Sequence, residues 1–221
     1  GMGSTFGDYD ADGDLDWFVT AIYSEFDTCE GAACDKSRAS GNRLYRNEGG
    51  RLFSDVTDLT DVRNGGWGWG TIFLDYDNDG DLDLAMVGGM HESGDSAESK
   101  LDSPRLWENV GNGRMTEIAG RVGLSQPSAA KGLLTLDFDG DGDLDLFVVN
   151  NAGPPMLYRN DGGNANSWLR VRLIGEQSNR SAIGATIEVI PKIGAAGQIR
   201  EMGVSSHFLG QSELVAHFGL G

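Results

Sequence analysis

The chain has 221 residues, enough for one domain with a sizeable core or two small ones, and its 34 glycines against five prolines suit many short strands joined by turns. Its formal net charge of −17 is local: three loops with five aspartates each hold 15 of the 34 acidic residues, and the other 19 nearly balance the 17 lysines and arginines. That distribution excludes a basic stripe for nucleic acid, and no apolar run reaches the roughly 18 residues of a membrane span.

In chain order, the strand entry GMGSTFG leads into the acidic turn DYDADGDLD at 8–16. No basic and apolar leader opens the chain, and its start falls partway through a repeat, so it reads as cut there. Carboxylates at alternate positions of a tight turn repel one another unless a cation sits among them. Calcium takes about six to eight oxygen ligands at about 2.3–2.6 Å, and Gly13 at the sixth position allows the sharp bend. Asp8, Asp10, Asp12 and Asp16 are the candidate side-chain ligands, with Asp14 lending its backbone carbonyl. An apolar strand, LDWFVTAIY, then runs into the insertion FDTCEGAACD. Its Cys29 and Cys34 are the only cysteines. They read as a small disulfide-closed loop of an oxidising compartment, worth about 2 kcal/mol, or else as two free thiols in a reducing one; we expect the disulfide. The spacing is not that of a zinc site. NRLYRNEGG and RLFSDVTDLT follow as a third strand, a Gly turn and a last strand.

The second unit opens on GGWGWG, superficially like a dinucleotide fingerprint, but an acidic loop follows it instead of a helix, so it is a strand entry packing Trp67 and Trp69. In DYDNDGDLD at 75–83 the ligand roles fall to Asp75, Asp77, Asp79 and Asp83, with the Asp81 carbonyl. A second insertion, around 88–103, carries His91, and PRLWENVGNG and RMTEIAGRVG complete the unit. The third unit, KGLLTLDFDGDGDLD, repeats the roles in Asp137, Asp139, Asp141, Asp145 and the Asp143 carbonyl, and continues into LDLFVVNNA and PMLYRNDGG. Beyond it WLRVRLIG alternates, with Leu169, Val171 and Leu173 on one face and Arg170 and Arg172 on the other, and ATIEVI, QIREMGV and LVAHFGLG are further strands. Asn179-Arg180-Ser181 is a glycosylation sequon in form and a turn in context. His91, His207 and His217 are scattered and read as ordinary histidines.

The loops begin at Asp8, Asp75 and Asp137, periods of 67 and 62 residues, and the flanking strands align with them. The expected fold is therefore all-β: a partial β-propeller of three four-stranded blades over 1–163 (about 1–66, 67–128 and 129–163), plus a small C-terminal β-domain over 164–221. An EF-hand is excluded, because the twelfth position holds Val19, Met86 and Val148 instead of glutamate and the flanks are strand-like. Magnesium tolerates such crowding poorly, and loops without cysteine or histidine disfavour soft metals. Three calcium ions would bring the net charge from −17 to −11. No serine sits in a nucleophile elbow and no acid–base pair stands outside the loops, so calcium is expected to be structural.

The three DxDxDGDxD loops with strand flanks resemble the FG-GAP/VCBS repeats of integrin-like propellers, over residues 1 to about 163. NSWLRVRLIGEQSNRSAIGATIEV with the closing HFGLG resembles the ASPIC and UnbV domain. The resemblance implies a calcium-binding, non-catalytic, extracytoplasmic protein, whether secreted, cell-surface or periplasmic, that adheres to or recognises a protein or glycan. The alternative is a polysaccharide-active enzyme or accessory domain using the loops near 24–41 and 88–103. Propellers of this kind have about seven blades, and the C-terminal domain runs on past FGLG, so both ends read as truncated. Three blades do not close a ring; the open edges are expected either to belong to a larger propeller or to be covered by self-association, two chains supplying six blades.

Overall fold

The computed structural model describes residues 1–23, 40–91, 101–111, 113–193, 196–203 and 208–221. Cys29, Cys34 and His207 lie outside these residues, as does most of both insertions.

Strands β1 (Ser4–Gly7), β2 (Asp16–Val19), β3 (Arg43–Asn47) and β4 (Phe53–Asp55) form one antiparallel sheet in that order. The second sheet repeats it with β5 (Gly68–Leu74), β6 (Asp83–Gly88), β7 (Arg105–Asn109) and β8 (Met115–Glu117). The third has β9 (Ala130–Leu136), β10 (Asp145–Asn150) and β11 (Met156–Tyr158). In all three the acidic turn joins the first two strands in one register, pairing Gly7 with Asp16, Leu74 with Asp83 and Leu136 with Asp145. The first strands lie side by side, β5 between β1 and β9, and the sheets pack face to face as blades do.

Two apolar layers fill the gaps. Between the first two sheets Phe18, Leu44, Val56 and Val62 meet Phe73, Leu84, Met86 and Trp107, and between the second and third Ile72, Ala85, Leu106 and Ile118 meet Leu133, Leu146 and Val148. The strand patterns follow from this stacking. β6 has a sheet on either side, so every residue of DLAMVG is buried, whereas β2 is covered on one face and alternates exposed Trp17 with buried Phe18.

Two elements depart from the expected four-strand unit. RLFSDVTDLT is strand only over Phe53–Asp55; Asp55 Oδ1 accepts from Thr57 N (3.1 Å) and Oγ1 (2.5 Å), turning the chain into a single helical turn, α1 (Thr57–Thr60). The third sheet stops at three strands. The segment after its Gly turn becomes β12 (Trp168–Val171) and leaves to pair with β15 (Ala216–Gly219), while β13 (Thr186–Val189) pairs with β14 (Gln198–Glu201). Met202, Ala216 and Phe218 centre this C-terminal cluster, with Val171, Leu173, Ile187 and Val189 against it. Leu169, expected on the same apolar face, is 39% exposed, while Arg170 on the opposite face contacts the third acidic loop. Asn179 forms a turn, its side chain accepting from Ile183 N and donating to Ile183 O.

Candidate metal centres

Each acidic loop is bent by two left-handed residues. The sixth-position glycines have φ of +95° (Gly13), +102° (Gly80) and +96° (Gly142), and the fourth position, Ala11, Asn78 or Gly140, is left-handed as well. With the chain bent this way, carboxylate oxygens of the first, third and ninth aspartates converge: Asp8, Asp10 and Asp16; Asp75, Asp77 and Asp83; Asp137, Asp139 and Asp145, each trio lying within 4.8 Å. Oxygens bound to one calcium at about 2.3–2.6 Å lie at most ~5 Å apart, so the trios match that cation.

The other two aspartates of each loop stay outside the trios. At the fifth position Asp12, Asp79 and Asp141 each accept from the backbone N–H two residues on, at 2.9, 2.8 and 3.0 Å, and so brace the turn. At the seventh, Asp14 is exposed, Asp81 half-buried and Asp143 buried.

The ninth aspartate has a second task that sequence reasoning missed. One oxygen of Asp16, Asp83 and Asp145 accepts from the second residue of its own loop (Tyr9, Tyr76, Phe138; 3.1, 2.9 and 2.7 Å). The other accepts from the asparagine at the end of the third strand (Asn47, Asn109) or two residues past it (Asn160), at 2.8 Å each. That asparagine in turn reaches the preceding blade: Asn109 Nδ2 donates to Tyr9 O at 2.7 Å and Asn160 Nδ2 to Tyr76 O at 2.6 Å. The repeated N-x-G after each third strand was the visible signal; Asn Oδ1 accepts from that glycine in all three turns.

Burial pushes the loop carboxyls up, Asp8 to about 6 and Asp16 and Asp75 to about 7, and raises Asp83, Asp77 and Asp145 as well. Buried Asp10 Oδ1 and Asp75 Oδ1 have no hydrogen-bond partner. All-oxygen sets fit a hard divalent cation, and the buried oxygens without donors in the first two loops fit it further.

The C-terminal strands dock on the second and third loops, which the sequence did not foretell. Gly219 N donates to Asp75 Oδ2 (2.9 Å), Gly221 N to Asn78 O (3.1 Å) and Asn166 Nδ2 to Asp77 O (3.0 Å). His217, which burial and neighbouring Arg200 and Arg170 hold down at about 4, meets Asn78 Oδ1 through Nε2 at 2.5 Å. Asn78 also bridges to Gly142 O and Asp143 Oδ1. Arg170 Nη1 contacts Asp137 Oδ2 at 2.7 Å.

Stacked antiparallel sheets, two of four strands and one of three, with one aspartate-lined turn in a fixed register define a repeat protein of the propeller class. The profile of the FG-GAP-like repeat family matches residues 8–86 and 96–148, over half of the chain, which therefore belongs to that family; that of ASPIC and UnbV matches residues 175–221. Among curated proteins the chain is similar to Cartilage acidic protein 1 of Mus musculus, 28% identical over the whole chain and 32% of that protein. The Homo sapiens and Xenopus tropicalis proteins of the same name are each 31% identical over 68% of the chain and 22% and 23% of their own lengths. The chain thus spans about a third or less of these relatives.

Proposed function

We propose that the chain is a calcium-stabilised recognition or adhesion module of an extracytoplasmic protein, and that its calcium is structural. One observation carries the reading: the same three aspartates converge in three loops of identical register. Asp8, Asp10 and Asp16 would hold one ion, and Asp75, Asp77, Asp83 and Asp137, Asp139, Asp145 the other two, with the fifth-position carboxylates of Asp12, Asp79 and Asp141 and the backbone carbonyls of Asp14, Asp81 and Asp143 as the further ligands. Each ion would neutralise a cluster that burial otherwise penalises and fix the turn joining a blade's first two strands. The ninth aspartate's two backbone donors favour a scaffold role over activation of a water. Affinities of about 10⁻⁵ to 10⁻³ M suit an extracellular calcium supply. The FG-GAP-like family and the cartilage protein similarity support the extracytoplasmic setting. The partner is proposed to be a protein or glycan, and the open sheet faces support self-association.

Calorimetry with and without chelator tests the structural role. At a hundredfold excess over Kd each ion adds about 2.7 kcal/mol, so stripping calcium is expected to lower Tm by several degrees. An unchanged Tm sinks it.

A further inference from the structure

The three loops do not offer a cation the same welcome. The first-position aspartate is engaged by backbone alone in two of them: Asp8 accepts from Asp12 N and Gly13 N (3.0 and 3.1 Å), and Asp75 from Gly80 N and Gly219 N (3.1 and 2.9 Å). Neutral N–H donors orient these carboxylates and leave their charge for a metal. In the third loop Asp137 accepts from Gly140 N at 2.8 Å and from the Arg170 guanidinium at 2.7 Å, with its own side chain only 1% exposed. Arg170 is anchored from behind by Glu213. Asp139 has Arg159 at 4.0 Å, although the closer partner of that arginine is Asp161, at 2.7 Å. Two of the three converging carboxylates of this loop therefore face an arginine. Arg200 also sits in the field of Asp75, Asp8 and Asp83, but its guanidinium donates to Ile199 O and Gln198 Oε1. Trp168 closes over the third loop: its indole packs so closely on Gly142 that a Cβ there would not fit.

We propose that Arg170 is the resident counter-cation of the third loop, that it competes with a divalent cation for Asp137, and that this loop consequently fills last. The inference rests on the calcium reading above. A unit charge about 6 Å from a divalent ion costs about 1.4 kcal/mol of repulsion even at the dielectric constant of water, which is tenfold in affinity, and more at a partly buried site. Filling the third loop also removes the contact that ties β12 to it, so cation entry loosens the docked C-terminal strands on that side.

The test is calorimetric titration of the full chain with calcium, paired with terbium luminescence excited through tryptophan. The wild type is expected to show two tighter sites and one at least about tenfold weaker. Asp137→Asn should abolish the weak site alone. Arg170→Gln should tighten it at least about tenfold without changing the other two, and the terbium emission lost in Trp168→Phe should then rise at lower terbium. Three equal sites in the wild type, loss of a tight site in D137N, or an unchanged or weakened third site in R170Q overturns the proposal. If R170Q does not fold, Glu213→Gln carries the test: it leaves Asp137 as the carboxylate partner of Arg170, so a weaker third site supports competition and an unchanged one overturns it. Absence of binding at all three loops would instead overturn the calcium reading.

Discussion

The loop aspartates set how the protein answers to pH. With calcium stripped, Asp8 titrates at about 6 and Asp16 and Asp75 at about 7, all raised by burial. Between about pH 4 and 7 the folded chain keeps protons that the unfolded chain releases, so their contribution to stability is full below about pH 4 and is lost as pH rises through 6 to 7. His217, lowered to about 4, pulls the other way, as one group against three. On the proposed reading calcium would replace those protons, and its benefit would grow over the same window. Melting curves of chelated and calcium-loaded protein from about pH 4 to 8 should therefore separate as pH rises; a constant gap contradicts this assignment. At this scale the aspartate spacing and the glycines at 13, 80 and 142 were legible, because ligand chemistry and a tight bend leave few residue choices. The left-handed fourth position was not: Ala11, Asn78 and Gly140 share a backbone geometry without sharing a chemistry.

Between elements, Asn109 and Asn160, at or just past the ends of their third strands, stitch neighbouring blades. Asn109 is buried and serves Tyr9 O, Leu82 O and Gly111 N, whereas half-buried Asn47 reaches Leu15 O and Gly49 N within its own blade. Removing a side chain that satisfies several buried backbone groups strands them at about 1–3 kcal/mol each. Asn109→Ala is expected to cost about 2–4 kcal/mol in urea unfolding and Asn47→Ala clearly less, and equal losses would refute the stitch. LYRN and its relatives were readable as strands because alternation and β-formers mark them. WLRV reads as a strand of the C-terminal domain, but its pairing was not legible: its partner, Ala216–Gly219, lies far along the chain. Arg170 looked like an ordinary solvent-facing residue for the same reason: its partner Asp137 is distant in sequence.

At the scale of the whole molecule the first sheet leaves an aromatic ladder uncovered. Phe6 and Trp17 stack with ring centroids 5.9 Å apart, and Tyr45 lies tilted against Trp17 at 5.5 Å. Phe6 and Trp17 are 38% and 37% exposed, while the matching Phe73, Leu84 and Trp107 of the second sheet are at most 7% exposed against the first. The third sheet's far face offers Leu157 and Val149, 41% and 42% exposed, where the second sheet buries Leu106. These two faces are of the same kinds that already pack together twice within the chain, and they suit a head-to-tail contact between copies. Sedimentation velocity is expected to show concentration-dependent association that Trp17→Ser removes; a monomeric mass at every concentration contradicts it.

The bond from Gly219 N to Asp75 spans 144 residues. During synthesis the first loop gains its stitch from Asn109 as the second blade emerges and the second loop gains its own from Asn160, but Asp75 must still wait for Gly219, made long after it. Such long-range closure is slow, and a nascent chain would carry Asp75 without this bond until 144 further residues had been made. The order in which the loops mature is thus written into connectivity, with the middle one completed by a strand made long after it.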